Sequence, residues 1–146
     1  YKRQDETSIV HGDYRLDNMI LKNNKVIGIL DWELSTLGHP IADFSYHCLS
    51  WRTQEAFWDQ AKLKELGIPS EREYMEMYCE NSGKDLSKNW EFYMAFNMFK
   101  IAGILQGILG RVRDGTAASK HAEERGNMVF PLSEAAWSTI EENFLK

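Results

Sequence analysis

Residues 10–18 read VHGDYRLDN and residues 28–33 read GILDWE. The first stretch crowds a histidine, a glycine, an acid, a guanidinium and an amide into one loop. The second returns to another acid, Asp31, directly behind an apolar run. Between them, Met19-Ile20-Leu21 and Val26-Ile27-Gly28-Ile29-Leu30 flank the polar connection Lys22-Asn23-Asn24-Lys25. β-Branched and aliphatic runs on either side of an Asn-containing connection predict a hairpin, because Asn tolerates the positive φ of a tight turn. An antiparallel hairpin brings its open ends together. Asn18, just before the first strand, and Asp31, just after the second, are therefore expected side by side as two oxygen ligands.

The rest of the chain bounds what such a loop can serve. With 146 residues and 43% hydrophobic content, the chain is about the size of one domain and can bury a real core. Seventeen basic side chains against twenty-two acidic ones give a net charge of −5 without long same-sign blocks, so nothing attracts a polyanion and nucleic acid is excluded as a partner. Cys48 and Cys79 lack metal-type spacing and read as reduced thiols of an intracellular protein. The first residue is Tyr1 rather than Met, and the charged residues Lys2, Arg3, Asp5 and Glu6 lead straight into a strand-like Ser-Ile-Val. The true start of the gene product is expected upstream, so targeting is not observable. The longest apolar helix candidate is interrupted by Asn97, Lys100, Gln106 and Arg111, and no membrane span is expected.

After Asp31 the pattern turns helical. Gly38-His39-Pro40 breaks the chain, and residues 42–49 have the apolar spacing of a short helix. Residues 52–66 read as an amphipathic helix stopped by Gly67-Ile68-Pro69. Ser70 and Glu73 form a capping-box pattern opening a helix that runs towards Gly83. Residues 90–112 are apolar on most of their circumference, which predicts a central buried helix, with Gly103 and Gly107 letting another backbone approach. Two further helices, about 119–130 and 132–145, are expected on either side of Pro131. One small hairpin plus five or six helices makes a mostly helical α+β body.

The chemistry lies in the spacing. Asp13 and Asn18 are five residues apart and Asp31 lies thirteen beyond Asn18, the spacing protein kinases use for their catalytic Asp, its Asn and the later magnesium-binding Asp. In phosphoryl transfer the incoming hydroxyl must be oriented and lose a proton, a task suited to the Asp13 carboxylate. Magnesium prefers hard oxygen ligands, which Asn18 and Asp31 offer. Gly12 lets the backbone bend, and the His11 ring can fix the loop's carbonyls or the Asp31 backbone. Arg15 can hold a phosphate or substrate anion, or simply pair with Asp17.

HGDYRLDN, then ILDWE, then LGHPIADFSY resemble the aminoglycoside-phosphotransferase and choline-kinase superfamily. VHGDYRLDN, LDWELSTLGHPIAD, NWEFYMAF and AGILQGI resemble more closely the phosphotransferase-like domains fused to acyl-CoA dehydrogenases and their free-standing bacterial relatives. The resemblance runs across nearly the whole chain. It implies a protein-kinase-like C-terminal lobe, Asp13 as base, Asn18 and Asp31 as magnesium ligands and Asp43 as a structural brace for the loop. It also implies ATP as co-substrate and a small-molecule hydroxyl acceptor. The superfamily holds ATP against an N-terminal strand lobe, and nothing before residue 10 can supply one. Residues 1–146 are thus expected to be a C-terminal catalytic lobe, inactive alone, whose N-terminal partner lobe belongs to the same polypeptide.

Other residues invite weaker readings. Glu33 can contact metal or substrate through its nearness to Asp31, although a charge in such a turn more often caps or pairs. The aromatic stripe Trp90, Phe92, Tyr93, Phe96 and Phe99 reads mostly as core, with Trp90 and Tyr93 the candidates for an acceptor pocket. His39 reads as a loop histidine, and His47 and His121 as ordinary helix residues. The favoured acceptor, implied by the resemblance alone, is a hydroxyacyl-CoA or hydroxy acid; Arg15 argues against an aminoglycoside. The alternatives are an aminoglycoside- or choline-type kinase, or an idle pseudokinase acting as a scaffold, against which the three converging oxygen ligands speak. A fused dehydrogenase domain is a possible partner. The compartment would be cytoplasmic, or mitochondrial or peroxisomal in a eukaryotic fusion.

Overall fold

The computed structural model describes residues 6–53 and 60–145. The chain divides into two compact units, one ending at Trp90 and the other beginning at Glu91.

The first unit carries the hairpin. Strands β2 (Met19–Lys22) and β3 (Lys25–Ile29) pair antiparallel, turning through Asn23 at φ 51° and Asn24 at φ 57°, as the sequence predicts. The ladder slips beyond Ile20, which pairs with Gly28 while Leu21 pairs with Val26. Ile27 is the extra residue of a bulge, which sharpens the local twist. The strand-like Ser-Ile-Val is a strand, β1 (Ser8–Val10), but its partner was not legible in the sequence: it pairs antiparallel with β4 (Thr36–Gly38), Val10 lying opposite Thr36. The expectation that the chain is helical throughout after Asp31 is therefore corrected. Residues Trp32–Leu34 make one 3₁₀ turn and β4 follows. Three-residue strands are too short to show a period, and this pair forms only because the loop between them closes. The ribbon clamps both ends of the segment holding the loop and the hairpin.

Helix α1 (Ile41–Thr53) is longer than expected and buries Ile41, Phe44, Cys48 and Leu49 on one face. Of the helix predicted over 52–66, residues 54–59 lie outside the described residues; the rest divides between the end of α1 and α2 (Gln60–Glu65). Helix α3 (Glu71–Ser82) opens on the predicted reciprocal capping box of Ser70 and Glu73 and closes on Gly83 at φ 69°. The unit's core is aromatic: Phe44 stacks on Tyr78 at 3.9 Å and lies 5.5 Å from Trp90. Glu71 takes Arg52 at both oxygens, with the Nε bonds at 3.0 Å, and accepts the Trp90 indole N–H at 2.9 Å.

Helix α4 (Trp90–Arg113), which from Glu91 onward belongs to the second unit, follows the predicted bounds closely but is not buried all round. Phe92, Phe96, Phe99 and Ile104 are exposed, while Met94, Ala95, Asn97, Met98 and Ala102 are buried. The close backbone approach expected at Gly103 and Gly107 does not occur: a Cβ at either would meet nothing within 4 Å. The close approach falls instead at Gly126 in α5 (Ala122–Asn127), where a Cβ would lie 2.5 Å from Leu109 Cδ2. Pro131 sits inside the first turn of α6 (Val129–Phe144) rather than between helices, because first-turn N–H groups have no intrahelical acceptor to lose. By length and composition alone, α4 is the one helix among the described residues that could cross a membrane. Its buried Asn97 and mid-helix Lys100 suit packing within a protein at least as well.

Candidate active site

The loop 11–18 is held from three sides. Gly12 adopts φ +84°, and a Cβ there would sit 2.5 Å from the Leu34 carbonyl oxygen, so conformation and space both require glycine. From α1, the Asp43 carboxylate accepts the N–H of His11 at one oxygen and the N–H of Gly12 at 2.8 Å at the other. The expected brace is thus a two-point bond to consecutive backbone amides, the geometry in which a carboxylate is a strong acceptor. The third hold is His11 itself, buried with 2% of its surface exposed. Its Nδ1 accepts the Asp13 N–H at 3.2 Å and its Nε2 lies 2.7 Å from the Leu30 carbonyl oxygen, which fixes the Nε2–H tautomer. The ring thus touches both neighbours of Asp31, Leu30 through this hydrogen bond and Trp32 through a ring contact at 4.7 Å.

Asp13 and Asn18 meet directly. The Asn18 amide nitrogen donates to the Asp13 carbonyl and to its Oδ2, both at 2.9 Å. With the nitrogen spent in this way, the side-chain oxygen of Asn18 is the part of the amide that can act as an acceptor. The hairpin delivers its far end to the same place, since the Leu30 N–H donates to the main-chain carbonyl of Asn18 at 2.8 Å. Asp31 comes next in the chain, exposed and in the left-handed region at φ 62°. A hard-oxygen pair, one amide and one carboxylate, at the mouth of the hairpin suits a magnesium ion. No cluster of three His, Cys, Asp or Glu side chains occurs among the described residues, so a metal here would take its remaining ligands from water and phosphate, as magnesium does.

Arg15, about half exposed, reaches Asp17 at 3.2 Å and stands 3.7 Å from Asp13 Oδ2. The expected pairing with Asp17 is thus a contact it makes, and its nearness to Asp13 puts a guanidinium beside the proposed base. Glu33 is exposed within the 3₁₀ turn and, among the described residues, joins no group of three metal-ligating side chains. Trp90, named as a pocket candidate, is a core residue whose indole is committed to Glu71. Tyr93 belongs to the second unit, half-buried, with burial pushing its phenol pKa upward.

Two residues at this site were missed. Tyr46 donates its phenol to Asp13 Oδ1 at 2.6 Å; burial first, and the Asp13 carboxylate second, push its pKa up to about 12. His47 lies 5.6 Å from the Tyr14 ring and near Trp51 and Tyr74, and burial there lowers its pKa. The signal was available: residues three and four beyond Asp43 share its helix face, so whatever Asp43 braces, Tyr46 and His47 also meet.

With its kinase-like helical lobe, braced HGDxxxxN loop and hairpin returning an Asp, the chain belongs to the phosphotransferase enzyme family, whose model matches residues 2–78. Over 142 residues it is 44% identical to "Acyl-CoA dehydrogenase family member 10" of Mus musculus, covering 92% of this chain and 13% of that protein. It is 37% identical over 146 residues to "Acyl-CoA dehydrogenase family member 11" of Homo sapiens, covering 96% of this chain and 19% of that one. A solved structure from Ralstonia eutropha described as an aminoglycoside phosphotransferase superposes with a TM-score of 0.83 at 48% identity, covering 93% of this chain and 43% of the other. The chain thus spans less than a fifth of the curated relatives and under half of the solved neighbour.

Proposed function

We propose that this chain is the C-terminal catalytic lobe of a longer, ATP- and magnesium-dependent kinase that phosphorylates an alcohol hydroxyl on a small molecule. The observation that carries this reading is the Asp13 carboxylate, held between Asn18 and Tyr46 beside the mouth of the hairpin. In the transfer, the acceptor oxygen forms a bond to the γ-phosphorus, the bond from that phosphorus to the β,γ-bridging oxygen breaks, and ADP leaves. The hydroxyl proton goes to Asp13, which orients the nucleophile as it does so. Asn18 and Asp31 would hold magnesium, which supplies charge neutralisation at the β- and γ-phosphates when bound. Arg15 places a permanent positive charge beside Asp13, where it can meet the transferring group. The nucleotide-covering strands are assigned to sequence outside these 146 residues, an assignment supported by the larger extent of the solved neighbour.

The preferred acceptor is a hydroxyacyl-CoA or hydroxy acid, supported by the acyl-CoA dehydrogenase names of the curated relatives and by their greater length. An aminoglycoside acceptor is the second reading, supported by the description of the solved neighbour. The test uses the full-length protein with ATP, magnesium and each acceptor class in turn. Asp13→Asn is expected to abolish transfer to whichever acceptor is used; transfer persisting at near wild-type rate would falsify the assignment of the base.

A further inference from the structure

We propose that Tyr46 is a positioning residue for Asp13, its hydroxyl fixing the plane of that carboxylate so that a lone pair faces the acceptor's proton. The inference rests on the reading of Asp13 as the base. Helix α1 meets the loop along one face at three places: Asp43 at the amides of His11 and Gly12, Tyr46 at the Asp13 carboxylate, and His47 beside the Tyr14 ring. Those contacts make α1 a rigid mount for the loop backbone and for the reacting side chain.

The second torsion of an aspartate is soft, so a carboxylate held at one oxygen can still rotate. Here each oxygen has its own donor, Tyr46 at 2.6 Å on Oδ1 and Asn18 at 2.9 Å on Oδ2. Two donors on two oxygens remove that rotation and set the plane in which the carboxylate meets the substrate hydroxyl. A length of 2.6 Å is that of a strong hydroxyl-to-carboxylate bond. Asn18 has a second proposed duty, its side-chain oxygen being a candidate cation ligand. The Tyr46 donor is mounted on a helix and independent of that duty, so it holds Asp13 whether or not a cation is present. Because the phenol stays protonated far above neutrality, the donor is present throughout the working range.

Tyr46→Phe in the full-length protein removes the hydroxyl and keeps the ring. The kcat for phosphoryl transfer is expected to fall about ten- to a hundredfold, the weight of one charge-assisted hydrogen bond, with KM for ATP and acceptor moving less than about twofold. In an Asp13→Asn background the same change is expected to cost far less than in the wild type, because the inferred effect of Tyr46 is exerted through Asp13. A wild-type kcat in Tyr46→Phe, a loss confined to KM, or an equal further loss in the Asp13→Asn background overturns the inference and leaves the base in place. A wild-type rate in Asp13→Asn alone overturns the base and this inference together. For a readout that does not depend on turnover or on folding of the Phe variant, 3-fluorotyrosine is placed at position 46. Its fluorine resonance is expected to move on Asp13→Asn, and an unmoved resonance refutes the contact.

Discussion

Replacing Asp43 by Asn tests whether the loop is held as the geometry describes. The carboxylate gives one oxygen to the His11 amide and the other to the Gly12 amide. An Asn keeps one oxygen and must turn an NH2 group towards the second backbone N–H, where two donors repel. One charge-assisted bond, about 1.5–3 kcal/mol, is lost outright, and the remaining bond weakens without its charge. His11 is buried, so water cannot easily replace the missing acceptor. The expected cost is about 2–4 kcal/mol in urea unfolding followed by tryptophan fluorescence, as a lower midpoint at unchanged slope. Because Asp13 is carried by the same turn, its displacement by a fraction of an ångström is expected to lower kcat about ten- to a hundredfold. A variant within about 0.5 kcal/mol of wild type with undiminished kcat refutes the claim that α1 fixes the loop through Asp43.

Gly12→Ala is expected to cost about 2–4 kcal/mol, combining a left-handed backbone with a Cβ placed 2.5 Å from the Leu34 carbonyl oxygen, and to depress activity with it; thermal melting and a rate assay read both. Glu71→Ala leaves the Arg52 guanidinium and the Trp90 indole without their shared acceptor, so a loss of about 2–3 kcal/mol is expected by denaturant titration, and a change near zero would place that network among the dispensable contacts. For pH, Tyr46 ionises at an ordinary 10.0 in the unfolded chain and at about 12 in the folded one. Its contribution is intact below the lower value and is lost as pH rises through the higher one, so the unfolding midpoint is expected to fall across that window, less steeply in Tyr46→Phe.

How much of this was legible in the sequence depends on the range of the physics behind each feature. The hairpin, with its Asn-Asn turn, and the Ser70–Glu73 capping box are encoded within a few residues, and both stand as read. The HGDxxxxN loop announced its residue types in one stretch, and the hairpin's two-residue period foretold that Asn18 and Asp31 would be carried to the same end. Other features depend on partners far along the chain. The β1–β4 ribbon joins residues about 28 apart through strands too short to carry a pattern. Tyr46 reaches Asp13 across 33 residues, and its only local mark is its place one turn beyond Asp43 on the same helix face. Gly103 and Gly107 had the spacing of a contact face, yet α4 meets its close neighbour through Leu109 and Gly126. Trp90 could have faced a pocket or the core, and the indole bond to Glu71 chose the core. By itself, the sequence determined the loop, the hairpin, the helix caps and the chemistry the side chains can perform, because each is written in neighbouring residues. Tertiary structure decided which helix face braces the loop and which donors hold Asp13, because those contacts exist only once distant segments pack together.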